Sequence, residues 1–244
     1  MNIFFLALFF LIIPIIFIEV VWIAYHGILS KKLAKKTKHF SQFPSDPTCK
    51  ILVLGDSIAC GVGATEECNS LAGRLGSLYP GAYVTTRFIN GVKVKKALTL
   101  IDTSKKEERW NLLVIFLGGM DIIHFTPRKI FSRNISVIFN KAKQCADKVV
   151  YVSPANVGLS PIFPFPFSLF YSIHSYFLLK TAKKIAAEMG IIYVDLFENK
   201  KNDSFGGKVD FYAPDLSHPN DEGYIIWFNK IKEALDNHFP FYNK

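Results

Sequence analysis

Residues 51–64 read ILVLGDSIACGVGA. Four apolar residues in a row run into Gly55-Asp56-Ser57, and Gly61 and Gly63 follow at once. An apolar run without alternation is the pattern of a strand buried on both faces, as in a parallel sheet. The small residues after it predict a tight turn that presents a serine. In an open α/β sheet the carboxyl ends of the central strands are where ligands bind. Ser57 is therefore a candidate nucleophile, which requires a base, an orienting acid and oxyanion donors from the rest of the chain.

Downstream, residues 69–78 carry leucines at helical spacing, and Tyr79-Pro80-Gly81 ends that helix. An alternating strand is predicted over 83–89, followed by Asn90-Gly91 and a helix through Ile101. Residues 112–117 (LLVIFL) repeat the buried-strand pattern and end in Gly118-Gly119-Met120-Asp121. Helices are then predicted over 128–146, 171–189 and 219–238, and strands over 149–152 and 191–194. Strands alternating with helices predict an α/β fold, a five-stranded parallel sheet between helical layers. Residues 157–170, VGLSPIFPFPFSLF, carry three prolines and four phenylalanines. Proline at that density predicts an irregular loop. Phe163 and Phe165 on it are candidate substrate-binding residues, as an acyl-binding wall or a lid dipping into a membrane, with simple packing onto the domain as the alternative.

Upstream, residues 2–25 are apolar except for Asn2 and Glu19, long enough to cross a hydrocarbon core of about 30 Å as one transmembrane helix. Trp22 and Tyr25 suit its interfacial end. The segment lacks a basic start and a small-residue cleavage site, which favours an uncleaved anchor over a signal peptide. Lys31, Lys32, Lys35, Lys36 and Lys38 follow. Positive flanks tend to stay in the cytoplasm, so a single-pass protein with its domain on the cytoplasmic face is expected; a first helix can disobey that rule, and an external domain stays open. The expected organisation is an anchor over 1–30, a basic flank and linker over 31–49, and a catalytic domain over 50–244.

The 244 residues carry a formal charge of +9 and are 50% hydrophobic. Five of the positive charges sit in the lysine run and the remainder is scattered, a membrane-flanking pattern and not that of a nucleic-acid binder. Cys49, Cys60, Cys68 and Cys145 have neither C-x-x-C spacing nor a matching histidine pair, so no metal site is expected. Phosphate-loop and G-x-S-x-G motifs are absent.

One histidine has a carboxylate at a useful distance, in Asp215-Leu216-Ser217-His218-Pro219. On a turn, that separation lets the carboxylate hold Nδ1 and leaves Nε2 free to take a proton from a serine. Asp215 would orient, His218 would be the base and Ser57 would attack an acyl carbon.

Together, Gly55-Asp56-Ser57, Gly91, Gly118–Asp121 and Asp215 with His218 resemble the SGNH (GDSL-type) hydrolase superfamily, from about residue 50 onward. The resemblance implies a three-layer flavodoxin-like fold, hydrolysis of esters or thioesters including those of lipids, and no metal or organic cofactor. It implies that the backbone N–H groups of Ser57 and Gly91 are oxyanion donors. The family's third donor is an asparagine side chain, and here Met120 occupies that position. A thioether cannot donate a hydrogen bond. Asn90 and Asn156, on strand-end loops, are candidate substitutes. The expected function is cleavage of an acyl ester such as a lipid or lysophospholipid; an acyltransferase, or a catalytically weak or silent binding protein, is the alternative raised by Met120.

Overall fold

The computed structural model describes residues 3–101, 109–205 and 207–238, with side chains from residue 13 onward. Asn2, at the start of the expected anchor, and residues 239–244, at the end of the expected catalytic domain, lie outside the described residues. In chain order the elements are α1 (Ile3–Lys36), β1 (Cys49–Gly55), α2 (Ser57–Cys60), α3 (Leu71–Leu78), β2 (Ala82–Phe88), α4 (Val94–Ala97), β3 (Trp110–Phe116), α5 (Gly119–Ile123), α6 (Arg128–Cys145), β4 (Ala146–Val152), α7 (Phe167–Glu188), β5 (Ile192–Val194) and α8 (Asp221–His238).

The five strands form one parallel sheet in the order β2-β1-β3-β4-β5. Its register brings Phe88, Gly55, Phe116, Val152 and Val194 into one row at the carboxyl ends. The chain leaves β1 for β2 on one side and returns to β3 on the other. The loops after β1 and β3 therefore diverge and open a crevice, the binding position of such sheets.

Successive side chains point to opposite faces of a strand, and both faces are covered. Leu52, Leu54, Leu113 and Ile115 pack with Phe131, Ile135 and Leu178 of α6 and α7. Ile51, Val53, Leu112 and Val114 pack with Leu71 and Leu75 of α3 and with Ile231 and Leu235 of α8. This is the physical reason for uninterrupted apolar runs: each large side chain contributes about 1.5–3 kcal/mol by leaving water, whichever way it points.

Three elements depart from the sequence expectation. The helix expected through Ile101 is a single turn, α4, followed by a 3-10 turn over Leu98–Leu100. Val92, Val94 and Thr99 are β-branched and weak helix formers, and the turn is held from outside, where Asp121 Oδ2 accepts from Val94 N at 2.8 Å. Helix α7 begins at Phe167 and not at residue 171, because Pro166 stands at its cap, where a missing N–H costs nothing. Helix α1 continues to Lys36, so most of the lysine run assigned to the flank is helical. Beyond it, Gln42 pairs with Val84 in an antiparallel bridge and its Nε2 donates to Tyr79 O and Ala82 O. Part of the expected linker is thus an edge of the folded domain.

Gly55 makes the closest approach in the sheet, since a Cβ there would lie 2.1 Å from the carbonyl oxygen of Phe116. Gly55→Ala should destabilise the protein by at least about 2 kcal/mol, seen as a fall of about 4–8 °C in Tm. Gly91→Ala, whose Cβ meets nothing within 4 Å, should cost only the left-handed backbone penalty of about 1–2 kcal/mol.

Candidate active site

The turn after β1 is built on Asp56. Its Oδ1 accepts from Ile58 N at 3.0 Å and so caps α2, of which Ser57 is the first residue. The N–H groups of a first helical turn have no acceptor within the helix, which leaves that of Ser57 without an intrahelical partner. Gly119, at the start of α5, stands beside this turn: a Cβ on it would lie 3.8 Å from Asp56 Oδ2.

The loop before α8 supplies the partner groups. His218 Nε2 lies 2.8 Å from Ser57 Oγ, and His218 Nδ1 lies 2.5 Å from Asp215 Oδ2. The other carboxylate oxygen of Asp215 accepts from Ser217 N and His218 N, each at 3.1 Å. Leu216, between them, takes a left-handed backbone with φ 56°, which curls the loop back on itself. Its carbonyl accepts from Ser160 Oγ at 2.6 Å. Burial alone would raise the Asp215 carboxyl, but the hydrogen bond and charge of His218 and the two N–H donors outweigh it, and the net shift is downward. Asp215 is thus ionised at neutral pH and fixes the imidazole tautomer that offers Nε2 to a hydroxyl.

Sequence reasoning missed what holds this loop against the serine. Asp221, the first residue of α8, accepts from Thr65 N at 2.9 Å, Thr65 Oγ1 at 2.5 Å and Asn69 Nδ2 at 3.0 Å. Tyr224 Oη donates to Val62 O at 2.7 Å in a fully buried setting. Gly63 is in contact with the same loop, since a Cβ there would lie 2.2 Å from Pro219 O. An acidic residue in the first turn of a helix was the visible signal at Asp221; nothing in the sequence pointed it at Thr65.

The remaining candidates are distributed as follows. Gly91 is exposed after β2 with φ 69°, and Ile89 N donates to Gly55 O at 3.1 Å, which holds that turn beside β1. Met120 is half-buried in α5. Asn90 is exposed. Asn156 is buried; its Nδ2 donates to Glu198 O at 3.1 Å and its Oδ1 accepts from Gly158 N at 3.2 Å, which occupies one of the two amide N–H groups. Phe163 is buried, with its ring 4.2 Å from that of Tyr171, whereas Phe165 is 74% exposed. Cys60 is buried and its thiol is pushed up to about 11, so it is not a nucleophile near neutral pH.

The profile of the GDSL-like lipase/acylhydrolase family matches residues 53–226. No curated protein matches the sequence. Among solved structures, a psychrotrophic esterase EstA from Pseudoalteromonas sp. is similar at 16% identity and a TM-score of 0.58, over 77% of this chain and 97% of that one. A lipase/acylhydrolase from Enterococcus faecalis is similar at 20% identity and 0.59, over 78% and 96%. The acetylxylan esterase Axe2 from Geobacillus stearothermophilus is similar at 17% identity and 0.56, over 78% and 94%. These likenesses are of fold.

Asp56 contrasts with Asp215. Burial raises its carboxyl to about 6, and the Ile58 N–H and the charge of His218 only partly offset this. Between about pH 4 and 6 the folded protein therefore holds a proton that the unfolded chain releases, and stability is lost as pH rises through that window. Asp56→Asn keeps a cap oxygen and removes the titration. It should be more stable than the parent by about 1–3 kcal/mol at pH 8, with the gap in Tm closing below about pH 4.

Proposed function

Because the chain belongs to the GDSL-like lipase/acylhydrolase family, we propose that it is a serine esterase acting on an acyl ester of a membrane lipid, with Ser57 as nucleophile, His218 as base and Asp215 as the orienting carboxylate. The observation that carries this reading is the continuous hydrogen-bonded path from Ser57 Oγ through the imidazole to Asp215.

On this reading His218 Nε2 takes the hydroxyl proton as Ser57 Oγ bonds to the acyl carbon. The carbonyl oxygen becomes an oxyanion, received by the N–H groups of Ser57 and Gly91. The alcohol leaves with the proton from Nε2. Water, deprotonated by the same nitrogen, then releases the acid and restores Ser57. No metal or organic cofactor enters these steps.

Two features support a lipid substrate. Helix α1 is long and apolar enough to cross a membrane, with a mean hydropathy of 1.8 over an 18-residue window within Ile13–Lys36; on our reading it anchors a single-pass protein in the cell membrane, its lysines keeping the domain on the cytoplasmic face. Phe165, Leu169, Phe170, Ile173 and Phe177 are all about half exposed or more. From Leu169 to Phe177 their spacing places them on one side of α7, an apolar surface suited to acyl chains. Met120 favours a second reading, a slow or silent relative, since loss of one oxyanion donor typically costs about a hundred- to a thousand-fold in rate.

A fluorophosphonate probe separates the two readings. The wild type should be labelled and Ser57→Ala should not; an unlabelled wild type would identify a binding protein. Where labelling occurs, Met120→Asn should raise turnover by about ten- to a thousand-fold, and an unchanged rate would mean that the oxyanion site is already complete. Because Phe163 is buried, the informative acyl-site variant is Phe165→Ser with Phe170→Ser. It should weaken hydrolysis of long-chain esters by about tenfold, corresponding to about 1.4 kcal/mol, and leave acetyl esters unchanged; equal losses on both would remove the lipid assignment.

A further inference from the structure

Helix α1 does more than carry a hydrophobic span. Val20, Val21, Tyr25 and Ile28 are each more than half exposed, and the lysines at 31, 32, 35 and 36 are exposed as well. Glu19, Ile23, His26, Ser30, Leu33 and Thr37, three or four residues apart and so on one face of the helix, are half-buried or buried. His26 is 6% exposed, and among the described residues neither of its ring nitrogens has a hydrogen-bond partner.

This face and the segment that follows the helix each meet the domain at one place. Ser30 Oγ lies 3.5 Å from His218 Nδ1, against the edge of the His218–Asp215 pair. Just past the helix, the His39 ring lies 5.3 Å from Phe88, and Phe40 O accepts from Thr86 Oγ1 at 3.0 Å. Phe88 is level with Gly55 in the sheet, two residues before Ser57. The end of α1 therefore lies beside the His218 loop, and the segment that follows it reaches the end of β2.

We infer that α1 is a wall of the active site as well as its anchor, with Ser30 a positioning residue that keeps water from the His218–Asp215 pair. The inference rests on the proposed roles of Ser57, His218 and Asp215. His26, one turn from Ser30 on the same face, is the polar group of this wall left for a substrate to satisfy, because an unpaired buried imidazole is costly. At 1.5 Å per residue Ser30 lies about 12 Å along the helix from Trp22, so the wall holds the nucleophile at the level of lipid head groups. Removal of α1 as a signal peptide would strip this wall from the site.

The test places a charge beside the base in the full-length protein and follows the rate of fluorophosphonate labelling of Ser57 against pH. Asp215 and Asp56 are the charged groups that already face His218 from its own loop and from the turn after β1, and both are common to every variant. Ser30→Asp should raise the midpoint of the acidic limb by about one pH unit, Ser30→Lys should lower it by a similar amount, and Lys32→Asp, on the opposite face, should leave it in place. If Ser30→Asp does not accumulate, the direction of the Ser30→Lys shift decides alone. An acidic limb that stays put in a labelled Ser30 variant overturns the inference while leaving the nucleophile assignment intact. A wild type that is not labelled at all overturns both.

Discussion

The hydroxyl of Tyr224 and the backbone carbonyl of Val62 lie 162 residues apart in sequence and meet in a fully buried hydrogen bond. On that contact, and on the three bonds to Asp221 beside it, depends the meeting of Ser57 and His218. The serine is fixed by the end of β1 and the first turn of α2; the histidine lies on a loop whose own hydrogen bonds set its shape but not its place. A loop free to rotate would sample many positions, and a misplacement of about 1 Å is enough to cost about a hundredfold in rate. Tyr224 and Asp221 restrict those positions, and the close approach of the backbone at Gly63 to Pro219 restricts them further. Leaving either end of the buried Tyr224 bond unpaired costs about 1–3 kcal/mol, which makes the clamp a matter of stability as well as of geometry.

Three buried carboxylates surround the crevice, and their environments divide them. Asp215 receives an imidazole and two backbone N–H groups and is shifted down. Asp56 is shifted up by burial, which the Ile58 N–H and the charge of His218 offset only in part and to which the neighbouring Asp121 adds. Asp121 is also raised by burial, although Val94 N binds one of its oxygens. The same functional group thus provides a fixed negative charge at one position and two reluctant ones at others, with hydrogen-bond supply deciding which. Asp56 and Asp121 are explained by architecture, as the cap of α2 and the external cap of α4, and their raised carboxyls are a consequence of the depth at which those turns begin.

What the sequence revealed and concealed follows from the range of each interaction. Strands buried on both faces leave a local mark, so β1 and β3 were legible to within a residue or two. The Asp215-to-His218 turn was legible because its bonds are local, and its pairing with Ser57 followed from the rule that strand-end loops converge. Helix α4 was over-extended because its cap, Asp121, comes from another element. The bonds of the Asn156 amide to Glu198 and Gly158 were not legible, because an unpaired amide and a bonded one look alike in sequence. Phe163 and Phe165, two residues apart on a proline-rich loop, could not be sorted into buried and exposed without knowing where Tyr171 lies. The docking of α1 was hidden most completely, since an apolar run looks the same whether lipid surrounds it or a domain covers part of it.

Glu19, His26 and Ser30 nonetheless leave a trace. A helix needed only to hold a protein in a bilayer gains nothing from a carboxylate, an imidazole and a hydroxyl, and polar groups at such depth are costly unless protein covers them. Scattered at random they would fall on several faces; spaced by seven and then four residues, they fall on one. That face is the less exposed one, while Val20, Val21, Tyr25 and Ile28 keep the remainder of the same turns apolar. The polar stripe is thus continuous with the contact between Ser30 and His218, and on the proposed reading one helix would reconcile two surroundings, lipid on its outer side and a catalytic cleft on its inner side. The anchor and the active site are on this account parts of one surface.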